Sequence, residues 1–567
     1  MHPGTHYRPL AQFLKGSLHK SLRIRTVSQP RPHIFAALHN LDCSFDDPNR
    51  VRFFDSKEGL DDFASYPLPR KNCGQLLFLR GYPSPKWVQL IGAKYRVDAE
   101  FFRRHLSIGQ ISEPFDISVL PSASQNIVKL SITSLGKQNV TLSKQGEGVD
   151  SLKDFHESLG DDPNVVGDSI VRRYSVHDKT RFSIEQDVTM CVLKTGESWI
   201  GMSTSRSGCI SGHALTYVRK AIILLDCGRD LDEGPAGPWI ESSSRPHMHG
   251  FDNVFNPVLL FEPNICLKSF EKKEGTSSSN GTQLLQKRCF QQSCSLLHTK
   301  SYGRFLSPAV MNTDAFYALS DVFNFAACAE SQFLGLLKSK FMSETHLHNK
   351  EEHMKECLLD LKDHKLLLHE HIQGIQAVIS IINDRGGSRW PRAGSASDAA
   401  RMVSMTPSAR RSSKESMLHV VVERPAITEQ EMLPARSGAE AEAEAMAQRL
   451  LKDYEALRSD AQALSDLYSE GMRDIRDNAM LAESRKAIEQ ARGVGHLTLL
   501  AYFFLPLSFT STLFGMNFKE LGDDVSIWAW FVVSVPVFLL AAMLCFWDKL
   551  VPLYVKFRLK LSSSPVR

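Results

Sequence analysis

The chain has 567 residues, 43% of them hydrophobic and 23% charged, and 67 Lys and Arg against 63 Asp and Glu leave a formal net charge of +4. That length allows about two to four folded units, and so small a net charge gives no electrostatic argument for a nucleic-acid partner. The 11 cysteines include no Cys-x-x-Cys pair and read as reduced thiols, not as a disulfide framework.

Residues 1–35 read as a basic, disordered tail, since residues 1–41 hold several Arg and Lys and no acid. Leu10 to Ile24 could form a basic amphipathic helix, a composition like that of a mitochondrial presequence. Residues 36–383 read as a mixed α/β domain ending in long helices. Gln75 to Leu79 is a predicted strand. Ser84 and Pro85 start a helix, with serine as cap and proline at the first position, leading into Lys86 to Lys94. Asp98 caps another through Phe101, Phe102 and Leu106. Further strands are predicted at Val128 to Thr133, Phe182 to Leu193, Ser198 to Thr204 and Ala221 to Leu225. Helices follow over Asp314 to Ser343 and Glu351 to Ile382. No P-loop, Gly-x-Ser-x-Gly or dinucleotide fingerprint is present, so neither enzymatic activity nor an organic cofactor is expected.

Within those helices His346, His353, His364 and His371 are spaced by seven, eleven and seven, near one face if the segment is continuous. His353 and Cys357, four apart, form a candidate pair for a soft transition metal. The competing reading is a solvated, densely charged helix face. Residues 384–437, rich in Ser, Arg, Gly and Pro, read as a disordered linker insertion, with Arg410-Arg411-Ser412-Ser413 matching a basophilic kinase target.

Residues 438–496 read as a helical stalk. Gly438 to Gln490 contains no proline, and apolar positions recur at heptad spacing: Leu450, Leu457 and Leu464 on one row, Tyr454, Ala461, Tyr468 and Ile475 on the other. Gly471, Gly493 and Gly495 are its weak points, each costing about 1 kcal/mol against alanine. They could mark a gating hinge or close helix packing.

Two uncharged apolar runs close the chain, assigned as transmembrane helices at 497–515 and 527–547 around a turn and outer loop at 516–526. Arg485, Lys486 and Arg492 before them, and Lys549, Lys556, Arg558 and Lys560 in the tail at 548–567, place both termini inside. Two helices from one chain cannot enclose a pore, so conduction requires several copies around an axis. Thr498, Ala501, Leu505, Ser508 and Thr512 share one face of the first span, a candidate pore lining, while the opposite surface, with Tyr502, Phe503, Phe509 and Phe514, reads as bulky and aromatic, suited to lipid or the second helix. The competing reading is that these small residues pack helices together. An uncharged lining suits a cation that keeps much of its water, as Mg2+ does. Asn517 at the mouth could accept hydrogen bonds from those waters, with Gly515 allowing a positive φ or close backbone approach. Glu520, Asp523 and Asp524 would concentrate cations outside it.

Phe514-Gly515-Met516-Asn517-Phe518, preceded by Leu505-Pro506-Leu507-Ser508, resembles the CorA family of divalent-cation transporters. The resemblance implies a homopentameric funnel: a cytosolic α/β domain, the predicted strand and helix pair at Gln75 to Leu106 resembling its start, feeds a long helix continuous with the first span. It implies that Asn517 selects the hydrated ion while Gly515 and Met516 shape its turn, and that Mg2+ is the transported ion. It further implies a regulatory Mg2+ held by carboxylates on the stalk, for which Asp453, Glu455, Asp460, Asp474 and Asp477 are available. Lys519 departs from a loop position that is often acidic in the family. The partners implied are membrane lipid and other copies of the chain, not nucleic acid.

Two alternatives stay open: a zinc or other transition-metal transporter of the ZntB branch, and a non-conducting membrane-anchored sensor or scaffold. The plasma membrane is the expected location, with the mitochondrial inner membrane as the alternative that the basic N-terminus suggests.

Overall fold

The structure, a computed structural model, describes residues 7–15, 33–45, 47–55, 59–67, 74–108, 120, 123–137, 145–159, 166–195, 218–231, 233–235, 237–239, 254–255, 258, 297, 300–346, 354–385, 390–392, 438–515 and 527–545. It divides into two compact units, one of residues 1–347 and 359–469, the other of 348–358 and 470–567.

The first unit is built on a mixed sheet. Its strands are β1 (Ile34–Asn40), β2 (Val51–Asp55), β3 (Gly74–Arg80), β4 (Ile127–Lys137), β5 (Arg173–Val176), β6 (Arg181–Thr195), β7 (Val218–Leu225) and β8 (Val254–Phe255). Their order is β2-β1-β3-β7-β6-β4-β8, with β5 beside β6. β3 and β7 pair in parallel while the other paired strands run antiparallel. The sequence places near-continuous apolar runs at that central pair, as strands covered on both faces require. Alternate residues divide between the faces: Leu77, Leu79, Ile222 and Leu224 enter one core cluster with Trp87, Ile91, Phe101 and Phe102. From the other face the Phe78 ring meets Tyr302 at 5.0 Å.

Both predicted caps are used. In α3 (Pro85–Tyr95) the Ser84 hydroxyl accepts from the Trp87 N–H at 3.3 Å, and in α4 (Ala99–Leu106) Asp98 accepts from the Glu100 N–H at 2.9 Å. Burial would raise the Glu100 carboxyl, but hydrogen bonds from Arg103 and Arg104 hold it down at about 2. The expectation of a disordered tail over 1–35 fails at α1 (Arg8–Leu14), which is helical. Leu10 and Phe13 join the core beside α3 and α4, Phe13 meets Tyr82 edge-on at 5.9 Å, and Gln89 donates to the Leu14 carbonyl at 3.2 Å. Two apolar side chains thus anchor a segment whose basic composition suggested a leader. The predicted strand at Ser198 to Thr204 lies outside the described residues, as does most of the linker predicted over 384–437, its kinase-type motif included. At the start of that linker the expectation of disorder fails, because Asp384 ends a helix and Trp390 is buried, its ring N–H donating to the Gln125 carbonyl at 3.2 Å.

Here α2 is Gly59–Ser65, α5 is Gln145–Ser158 and α6 is Pro308–Met311. Three long helices follow: α7 (Ala315–His346), α8 (Met354–Asp384) and α9 (Gly438–Gly515). The heptad residues of α9 within the first unit are buried, with Ala461 and Tyr468 fully so. They dock on a helix of the same chain. The Tyr454 hydroxyl donates to the Phe323 carbonyl at 2.9 Å and the Tyr468 hydroxyl to the Leu337 carbonyl at 2.9 Å. Donors and acceptors advance together, so α7 and α9 run parallel. Arg385 at the end of α8 pairs with Glu444 near the start of α9 at 2.6 Å, so α8 runs the other way.

In the second unit α9 continues through Gly493 and Gly495 and ends at Gly515, opposite the apolar α10 (Ile527–Cys545). Within 438–513 lies a stretch long and apolar enough to cross a membrane, and residues 530–543 form a shorter apolar helix. A Cβ at Gly493 or Gly495 would meet nothing within 4 Å. Gly493→Ala and Gly495→Ala are therefore expected to raise the melting temperature in detergent, each adding up to about 1 kcal/mol. A fall in melting temperature would instead reveal close packing by a neighbouring copy.

Candidate functional site

The membrane-length end of α9 has two unlike faces, and α10 occupies one of them. Phe503 and Thr510 point the same way, within about 20° at ~100° per residue. Phe503 stacks against Phe538 at 5.1 Å, and the Ser534 hydroxyl donates to Thr510 Oγ1 at 3.0 Å. Thr510 is 2% exposed and Ser534 3%. Thr510 accepts from Ser534 and passes its own hydrogen to the Leu507 carbonyl at 3.0 Å, so both hydroxyls have partners between the helices, the arrangement expected where water is absent.

Ala501, Leu505, Ser508, Thr512 and Thr498 lie within about 60° of the direction opposite Thr510, and all five are exposed in the single chain. Their hydroxyls are turned inward along the helix: Thr498 donates to the Val494 carbonyl at 2.9 Å, Ser508 to Leu505 at 3.0 Å and Thr512 to Ser508 at 2.9 Å. With the hydrogen committed, each oxygen offers only lone pairs outward. Such a surface accepts hydrogen bonds and donates none, which matches the outward-pointing hydrogens of a hydrated cation.

At the mouth, Gly515 is exposed and ends α9. Among the described glycines positive φ occurs at Gly81, Gly167 and Gly303, not at Gly515, and a Cβ on Gly515 would meet nothing within 4 Å. Met516, Asn517, Glu520, Asp523 and Asp524 lie outside the described residues. The stalk carboxylates Asp453, Glu455, Asp460, Asp474 and Asp477 are all exposed.

The spaced histidines divide between elements. His346 ends α7, His353 lies outside the described residues, and Cys357 on α8 is half-buried and in no disulfide. His364 and His371 are buried on α8, with their rings committed elsewhere. His364 Nε2 lies 3.2 Å from His177 Nδ1, and His177 Nε2 lies 2.8 Å from the Ser183 hydroxyl. His371 Nδ1 lies 2.8 Å from Glu330 on α7, and its Nε2 faces Glu185 on β6 at 3.6 Å. Among the described residues no three or more His, Cys, Asp or Glu side chains are arranged to hold a metal ion.

Burial drives the His177 ring down to about 3 and His364 to about 4, each beside another cationic group. Burial acts on His371 in the same direction, but Glu330 and Glu185 outweigh it and raise the ring to about 10. It is therefore an imidazolium with no lone pair for a metal. Burial, against the nearby Lys340, raises the Glu344 carboxyl to about 7.

These directions predict an acid-labile fold. His177 and His364 bind protons more weakly folded than unfolded, so their stabilisation is complete above the ordinary value of 6.5 and is lost as pH falls. Each contributes up to about 1.4 kcal/mol per pH unit. Glu344 acts oppositely between 4.5 and about 7, because the folded state retains its proton. His105 and His156 are held down by burial in the same direction, so these histidines outweigh Glu344 as pH falls from 6.5 to 4.5, and the melting temperature of the full chain should drop over that window. A melting temperature flat or rising on acidification contradicts this ionisation pattern.

The sequence reading missed Thr510 and Ser534: Ser534 stands alone in an apolar run, but Thr510 sits among Ser508, Ser511 and Thr512 and nothing local marks it as the one that faces α10. It also missed the carboxylates around His371, for which no local signal exists. Residues 413–549 match the family model described as CorA-like Mg2+ transporter protein. No curated protein gives a significant match to the chain.

Proposed function

We propose that the chain is a CorA-like channel that carries Mg2+ into the cell down its electrochemical gradient. The observation that carries the reading is the coincidence of three features in one stretch: the family match over 413–549, the Gly515-Met516-Asn517 turn, and a hydroxyl stripe on the side of α9 that α10 leaves uncovered. α9 and α10 are the two spans, with the first unit and the tail inside by the flanking positive charge. Copies of the chain, five on the family pattern, set the stripe around a central axis. Thr498, Ser508 and Thr512 then present acceptors to the ion's water shell, and Leu505 forms a dry constriction. Asn517 is the selectivity residue at the outer mouth, supplied by the acidic loop. Since α9 docks on α7 through Tyr454 and Tyr468, a shift of the first unit can reach the span along one continuous helix.

Purified chain reconstituted in vesicles, with an inward Mg2+ gradient and an entrapped magnesium indicator, tests the reading. Influx is expected that stops when the gradient is removed. Zinc flux in the absence of magnesium flux would reassign the chain to a transition-metal transporter, and no flux of either ion would leave a membrane-anchored scaffold.

A further inference from the structure

A cavity of about 390 Å3 opens between the end of the β4/β6 ladder and α7, lined by Leu135, Gly136, Lys137, Arg181, Gln332, Leu336 and Ser339. Its volume falls in the range of small-molecule sites. Lys137 and Arg181 stand directly opposite each other across β4 and β6. Like charges at such a pair are destabilising, and no carboxylate is among the lining residues. The nearest compensation is weak. Asp178 Oδ2 lies 3.8 Å from Arg181 Nε, while its Oδ1 already accepts from the Thr180 and Arg181 N–H groups and the Thr180 hydroxyl. Lys137 makes no ion pair among the described residues. Gln332 and Ser339 add polar groups able to donate, and Leu135 and Leu336 form an apolar wall.

The cavity therefore presents a guanidinium and an ammonium side by side, a pattern that suits a multiply charged phosphate group with an organic body. We propose that it binds a nucleoside triphosphate in its Mg2+-free form. The metal-free triphosphate carries about four negative charges and the Mg2+ complex about two, so a site built on two cations favours the former. Resting on the reading of the chain as a Mg2+ channel, occupancy would rise as intracellular Mg2+ falls, next to α7, on which α9 docks.

Calorimetric titration of the full chain in detergent with ATP plus EDTA tests the proposal without measuring transport, so its outcome and that of the flux assay are independent. Saturable binding is expected, weakened at least tenfold by excess Mg2+, by Lys137→Gln with Arg181→Gln, and by Gln332→Trp, which fills the cavity from α7 without touching the strand charges. Pyrophosphate should compete and AMP should not. Absence of binding, AMP binding as well as ATP, or affinity unchanged in both the charge and the cavity-filling variants would overturn it.

Discussion

Asn517→Ala is expected to reduce Mg2+ influx at least about a hundredfold at equal membrane abundance. In a ring of copies every subunit contributes one amide oxygen, and each hydrogen bond to the ion's water shell contributes on the order of 0.5–1.5 kcal/mol. In the proposed ring of five, such losses total about 2.5–7.5 kcal/mol, of the order of the roughly 2.7 kcal/mol that a hundredfold rate change requires and above it over most of that range. On the proposed path Ser508→Ala and Thr512→Ala remove acceptors deeper in the span, and smaller reductions are expected from each. Thr510→Ala acts elsewhere: it breaks the bond to Ser534 between α9 and α10 and should lower thermal stability more than selectivity. Equal flux in wild type and Asn517→Ala would move the selective constriction away from the Gly515-Met516-Asn517 turn. Selectivity lost in Thr510→Ala and kept in Ser508→Ala would place the wrong face of α9 on the axis.

What a local pattern can specify was legible. Serine before Pro85 and Asp98 before its helix cap as their chemistry requires, because the donors they satisfy lie within three residues. The heptad positions of α9 were also legible as a buried seam, but spacing does not name the partner. α7 of the same chain takes that seam, through carbonyls some 130 residues away in sequence. α1 was misread because Leu10 and Phe13 are held by Tyr82, Trp87 and Ile91, while the composition around them is that of a tail. In the second unit periodicity grouped the hydroxyl stripe but misassigned two aromatics: Tyr502 and Phe509 lie within about 40° of Thr498 and are exposed, whereas Phe503 and Thr510 meet α10. The histidine spacing did not carry over to one face, since His346 ends α7 while His364 and His371 lie on α8, and the partners that set His371 apart from His364 come from β6 and α7.

His371→Ala is expected to be the most damaging single substitution in the first unit, costing about 3–5 kcal/mol. The imidazolium is 7% exposed at its side chain, lies 2.8 Å from Glu330 and 3.6 Å from Glu185, and stacks on Phe333 at 4.4 Å. Removing it leaves two largely buried carboxylates with the partly exposed Arg173, 3.6 Å from Glu185, and the more distant Lys129 as nearby cations, and adds a cavity beside Phe333. His371→Gln preserves a donor without the charge and should fall between wild type and alanine. The sign of the pH dependence separates charge from packing. The His371 ring is raised to about 10, so its electrostatic contribution is complete below 6.5 and lost as pH rises through the folded value. In denaturant titrations the gap between wild type and His371→Ala should therefore narrow from pH 7 to pH 10, leaving only the packing loss. A gap independent of pH would mean that the ring is held neutral and that β6, α7 and α8 are joined there by packing alone.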